Sequence, residues 1–285
     1  MRQQPIAGSV VLFADLEHDF ASAVKPQADV ITMNQCGLLT CVVLLGACTT
    51  TPFNPGTVGA PEVLVPASEF LMGSAEGEMD EGPQRTVALP DFYIDRYEVT
   101  NAAYEICVDL GVCRRSRFQK DPILGHERHP VVGVSWYDAE RFCSWVGRRL
   151  PTEAEWERAV RGGDGRRYPW GEDVGDLASR ANLRGAEDGS ELTLPVDALP
   201  DGRSPEGLYH GAGNAAEWVE DQYDPLVYRR MVQKLPPEPQ EGDTRVVRGG
   251  SYRDVVFSAR TSVREHRAPG SRWDNVGFRC ARTRD

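Results

Sequence analysis

The stretch "HPVVGVSWYDAERFCSWVGRRLPTEAEWERAVRGG", residues 129–163, decides how the rest of the chain is read, because it announces two helices in succession. In the first, Ser135 and Asp138 form a capping box, each side chain placed to accept a backbone N–H that the opening turn leaves unbonded. Ala139, Phe142, Cys143 and Val146 then recur at helical spacing, which predicts an inward face carrying Cys143. In the second, Thr152 and Glu155 form the box, Trp156, Ala159 and Val160 face inward, and the Gly162-Gly163 pair ends the helix.

Working outward, "TNAAYEICVDLGVC" (100–113) reads as another helix, with Thr100 as N-cap and Gly111 as its left-handed terminator. "TVALPDFYIDRYEVT" (86–100) and "RVVRGGSY" (245–252) alternate like short strands, and "NVGFRCAR" (275–282) reads as one closing strand. Long Gly/Asp/Asn loops lie between, in keeping with 28 glycines and 20 prolines in 285 residues. Loops of that length need something to tie them down. A hydrophobic content of 40% suffices for a core, and the length is assigned to one large domain.

The net charge of −11 argues against a nucleic-acid partner, which would demand a clustered basic face. Arginine outnumbers lysine 29 to 3, and this is read as compositional skew rather than as a functional signature.

"CGLLTCVVLLGAC" (36–48) contains an uncharged apolar run from Cys36 to Ala47, too short to span a bilayer but of the length of a secretory core segment. Its end, Leu45-Gly46-Ala47-Cys48, resembles the lipobox of bacterial lipoproteins, in which the cysteine becomes the lipidated first residue. Residues 1–48 are therefore expected to be a leader, with translation starting at Met33, a signal peptide over 33–47 and a lipid on Cys48. Residues 49–62 are expected to be a flexible tether and 63–285 the folded domain. The expected location is the periplasmic or outer face of a bacterial envelope, with the membrane as a partner through the lipid. Beyond Cys48 four cysteines remain, an even number suited to an exported chain. The Gly111 turn brings Cys113 back to Cys107, which leaves Cys143 for Cys280. Loop-closure entropy assigns about 2 kcal/mol to the short bridge and about 5 kcal/mol to the long one.

Seven ordered motifs, "FLMGS", "DRYEVTNAAY", the 129–163 stretch, "YPWGE", "GLYHGAGNAAEWVED", "RVVRGGSY" and "NVGFRCAR", give the chain from about Val65 to Arg282 a resemblance to the formylglycine-generating enzyme (sulfatase-modifying factor) family. The resemblance implies that family's α+β fold, related to C-type lectin-like domains, loop-rich and low in regular secondary structure, with bound calcium. It also implies a Cys143–Cys280 disulfide, agreeing with the pairing above. In the family's copper-dependent enzymes two cysteines follow the Gly-Gly-Ser-Tyr motif, bind the metal and oxidise a substrate cysteine to formylglycine. Here those positions are Asp254 and Ala259. A carboxylate and a methyl group cannot replace a thiolate pair, so copper is not expected. Ser251, Arg253 and Asp254 remain the only catalytic candidates, and no histidine base stands beside Ser251 in sequence.

By the same resemblance, one structural Ca2+ would be held by the Asn182 and Asp188 side chains with the Leu183 and Ser190 carbonyls, all hard oxygen donors. A second would take Glu217 with the Gly213 and Ala215 carbonyls, but His210 stands where the family has an oxygen ligand, and an imidazole suits calcium poorly. His126 and His129 lack a third ligand in sequence and are read as solvated. The expected function is a non-catalytic, calcium-stabilised binding or scaffolding module with an envelope protein or peptide as partner. The alternative is an enzyme of the same family with altered, non-copper chemistry built on Asp254.

Overall fold

The computed structural model describes residues 54–185, 187–235 and 243–284. The proposed leader, the Met33 start, the Cys48 anchor and the first residues of the tether lie outside them. The described part of the tether is not a spacer. Residues 55–57 form a 3-10 turn capped by Asn54, Val58 packs on the main core, and the Ala60 carbonyl accepts a hydrogen bond from Arg148 at 3.0 Å.

In chain order the elements are β1 (Glu62–Val65), β2 (Ser68–Met72), β3 (Arg85–Leu89), β4 (Phe92–Asp95), α1 (Asn101–Asp109), α2 (Trp136–Trp145), α3 (Glu153–Arg161), β5 (Ala216–Gln222), α4 (Val227–Gln233), β6 (Arg245–Arg248), β7 (Glu265–Arg267), β8 (Val276–Phe278) and β9 (Ala281–Thr283). They build three small sheets: β1-β4-β9, the β2-β3 hairpin, and β7-β6-β5-β8, in which only β5 and β8 run parallel.

The capping boxes at Ser135 and Thr152 form as the sequence dictates, Thr100 caps α1, and Gly111 turns the chain with φ 74°. Both disulfides form, Cys107–Cys113 and Cys143–Cys280. They sit in one apolar cluster with Tyr104, Phe142, Trp218 and Phe278.

Two expectations are corrected. "NVGFRCAR" is not one strand: β8 joins β5 and β9 joins β4, and the chain changes sheets at Arg279-Cys280. The change is enforced by side chains, since Arg279 turns inward to Glu217 while the Cys280 N–H donates to Asp95 Oδ2 at 3.0 Å. Nor is the arginine excess idle. Helix α3 is buried on its charged side as well as its apolar one: Glu153 accepts from Arg264 and Arg248, and Glu157 from Arg161 and Arg248, all with side chains at most 5% exposed. Glu81 takes a two-pronged bond from Arg260. Burial alone would push these acids up, yet hydrogen bonds and guanidinium charges hold Glu81 and Glu153 below the usual range. A guanidinium supplies several directed donors in one plane, which an ammonium cannot, so lysine would not serve.

Candidate functional site

Strand β6 delivers the chain into Gly249-Gly250, where φ is 92° and 64°. A Cβ on Gly249 would sit 3.1 Å from the Trp156 ring, and one on Gly250 would sit 3.0 Å from the Ser258 carbonyl, so the double glycine is a demand of backbone shape and packing.

The next four residues close on themselves. Asp254 Oδ2 accepts the Ser251 N–H at 2.9 Å and its hydroxyl at 2.6 Å, while the Asp254 N–H donates to the Ser251 carbonyl at 2.9 Å. Asn275 Nδ2 donates to Ser251 Oγ at 3.0 Å. The hydroxyl therefore gives its proton to a carboxylate that also braces the turn, and no histidine bonds to it among the described residues. That arrangement fixes the Ser251 hydroxyl within the turn. Ala259 ends a 3-10 turn (256–259) and is wholly buried against Ala181, Leu183 and Ala212. The two positions that would carry a thiol pair thus serve a turn and an apolar cluster.

Beside Asp254 opens a cleft of about 690 Å³ whose walls carry Arg117, Phe118, Arg253, Arg267, Arg272 and Trp273. Arg253 donates to the Tyr252 hydroxyl at 3.2 Å and pairs with Asp274, and Arg267 pairs with Glu265 at 2.7 Å. Arg272 Nε donates to the Gly133 carbonyl at 2.9 Å and lies 3.8 Å from Asp138 Oδ2, and Arg117 has no ion pair among the described residues. Trp273 is half exposed. On a chain of net charge −11, the four arginines set against Asp254 and Asp274 make this a locally cationic cleft with an aromatic shelf. Arginine and tryptophan are the residues that anchor protein interfaces, and cations here would draw in acidic groups. Of its arginines the sequence reading named Arg253 alone. The others arrive from separate segments, and the visible hint was the basic run Arg114-Arg115-Ser116-Arg117.

The first calcium loop has oxygens to spare. Asn182 is fully buried; its Nδ2 donates to the Leu192 carbonyl at 2.8 Å and to Asn214 Oδ1 at 3.1 Å, while its Oδ1 accepts nothing. Asp188 Oδ1 accepts the Ser190 N–H at 2.9 Å, and its buried Oδ2 likewise accepts nothing. Buried oxygens left without donors are costly unless a cation meets them, so the residues fit a hard metal ion. Among the described residues no group of three or more His, Cys, Asp or Glu side chains is placed to hold a metal, so this site would rest on an amide, one carboxylate and backbone carbonyls.

The second stretch is organised differently. Both Glu217 oxygens accept from Arg279, at 2.6 and 2.7 Å, and one accepts Trp156 Nε1–H at 2.7 Å. Glu98 lies alongside, accepting from Asn214 Nδ2 at 2.8 Å and the Ala215 N–H at 3.0 Å. Burial, reinforced by the Glu217 charge, pushes the Glu98 carboxyl well above the usual range. His210 is buried with φ 52°, and its Nε2 lies 3.2 Å from the Pro195 carbonyl. A guanidinium already neutralises Glu217 here, so the residues give a cation no comparable opening. His126 and His129 lie with ring centroids 4.9 Å apart, and His129 Nδ1 is 3.0 Å from Thr193 Oγ1.

Residues 50–284 match the family model for the sulfatase-modifying factor enzyme 1-like domain. Over 296 residues the chain is 35% identical to the formylglycine-generating enzyme of Streptomyces coelicolor, covering 81% of this chain and 93% of that protein. It is 38% identical over 242 residues to the serine/threonine-protein kinase pkn1 of Chlamydia pneumoniae, covering 77% of this chain but only 37% of the chlamydial protein's length. Among solved structures it is similar to PvdO from Pseudomonas aeruginosa, with a TM-score of 0.68 at 27% identity, covering 81% of this chain and 97% of that one.

Proposed function

Because this chain belongs to the sulfatase-modifying factor family while its Asp254 and Ala259 are committed to a turn and a core, we propose that it is a non-catalytic binding or scaffolding module. On this reading it is anchored to a bacterial envelope by a lipid on Cys48 and stabilised by one calcium ion. Its working surface is the arginine-lined cleft beside Asp254, offered to an envelope protein or peptide. The observation that carries the reading is the 2.6 Å bond from the Ser251 hydroxyl to Asp254, which ties the two polar groups at the old reaction centre to each other. Each is engaged by the other within the turn, and neither carries the thiol that the family's copper chemistry uses. The calcium would be held by Asn182 and Asp188, and it would supply charge to two oxygens that the protein leaves unmatched. Through the bond from the Arg184 N–H to the Asp254 carbonyl, at 2.9 Å, that loop also supports one wall of the cleft.

The test has two arms. Purified protein is incubated with cysteine-containing sulfatase-motif peptides with and without copper, and mass spectrometry is expected to find no formylglycine; aldehyde formation would overturn the non-catalytic reading. Calcium-loaded protein is then used to capture partners from envelope extracts, with Arg253→Glu and Trp273→Ala as comparisons. Specific partners are expected to be lost from both variants, and partners retained equally by both would remove the cleft from the proposal.

A further inference from the structure

On a different part of the surface from the arginine-lined cleft, a smaller pocket of about 200 Å³ opens between the loop after β2 and the end of α3. At roughly 30 Å³ for each water of liquid volume, it has room for about seven waters, the size of a small ligand. Its floor is cationic and buried. Arg161, with a side chain 5% exposed, donates through Nη1 to the Gly73 carbonyl and to Glu157 Oε1, both at 2.7 Å. Its buried Nε has no acceptor, and Nη2 makes no hydrogen bond among the described residues. Glu157 cannot serve it better, because that carboxylate is shared with Arg248 and with the Gly73 N–H. Arg260 and Ser262 form the adjoining wall, but their donors are taken up by Glu81. At the mouth stands Arg167, exposed and without an ion pair among the described residues.

The mouth also carries two exposed carboxylates, Glu76 and Glu172. They would oppose a simple anion, as would the carbonyl end of α3. Both signs are accommodated by a ligand that itself carries both. We propose that this pocket binds a small zwitterion, its carboxylate or phosphate directed inward to Arg161 and Arg167 and its ammonium outward to Glu76 and Glu172. Guanidinium forks match either oxyanion, and Arg161 Nη2, which makes no hydrogen bond among the described residues, is the donor such a head would meet, with Arg167 beside it at the mouth. The shared chemistry can come from a free amino acid or from a phospho-amine such as a lipid headgroup, and the pocket's size admits both.

The test uses calorimetry and thermal shift on the purified protein with four probes: alanine, phosphoethanolamine, inorganic phosphate and ethylammonium. Either or both zwitterions should bind at least tenfold more tightly than the two half-ligands and raise the melting temperature. Which of them binds more tightly identifies the source. Arg161 lies in the core network, so the variants are Arg167→Ala and Glu76→Gln at the exposed mouth, each expected to weaken zwitterion binding about tenfold without lowering the ligand-free melting temperature. Phosphate binding as well as phosphoethanolamine, equal affinity in both variants, or no binding by any probe would each overturn the proposal. None of these outcomes bears on the arginine-lined cleft, whose variants are separate.

Discussion

His210 gives the most quantitative handle on this fold. It is buried with its ring against the Pro195 carbonyl, and burial lowers its pKa from 6.5 to about 4, against the smaller pull of that carbonyl. As pH falls below 6.5, the unfolded chain's imidazole takes up a proton that the folded one refuses until about pH 4. The unfolded state binds more protons throughout that window, so stability falls as the solution is acidified. A drop of about 2.5 units at 1.36 kcal/mol per unit amounts to roughly 3 kcal/mol, lost progressively between pH 6.5 and 4 and no further below. The replacement His210→Asn removes the titration while keeping a residue that tolerates the left-handed φ of 52°. Urea unfolding of both proteins from pH 7.5 to 4 isolates the effect, because the other buried groups titrate equally in each. The wild type should lose about 3 kcal/mol more than the variant across the window. Parallel profiles would show that the imidazole is accessible to protons in the folded state, and the argument from burial would fail.

Chelation should lower the melting temperature of the wild type, whereas Asp188→Ala should start lower and respond little to chelator; indifference of the wild type would remove calcium from the 182–190 loop. Cys143→Ser should destabilise more than Cys107→Ser by about 2 to 3 kcal/mol, the difference in loop-closure entropy for bridges spanning 137 and 6 residues, as measured by denaturant midpoints. Arg279→Leu should cost about 3 to 5 kcal/mol by stranding Glu217, and adding Glu217→Gln should recover part of it; additive losses in the double variant would show that the pair does not couple. Labelling with a fatty-acid analogue should be abolished by Cys48→Ser, and persistent label would place any anchor elsewhere.

What could be read in advance was local. The capping boxes at Ser135 and Thr152, the Gly111 turn and the two disulfides follow from chemistry that acts over a few residues or from counting cysteines. The charged interior was hidden because Glu153 and Glu157 look like an ordinary solvated helix face. Their partners Arg248 and Arg264 lie about a hundred residues on, and nothing in composition distinguishes a buried arginine from an exposed one. The division of "NVGFRCAR" between two sheets was hidden for the same reason: an apolar-polar alternation specifies a strand but not its neighbour. Within the site, the loss of thiols at Asp254 and Ala259 was visible at once. The bond from Ser251 to Asp254, and the arginine wall from Arg117, Arg267 and Arg272, required the folded chain.

The sheet change at Arg279-Cys280 also makes one short segment the closure of the interior. Without residues 276–283 the free edge of β4 has no partner, β5 no parallel neighbour, Cys143 no mate and Glu217 no guanidinium from Arg279. All four come from that one segment. One segment thus completes both sheets and the core between their side chains. A chain truncated before Val276 should therefore lose the protease resistance of the full chain, and equal resistance of the two would show that the segment is dispensable.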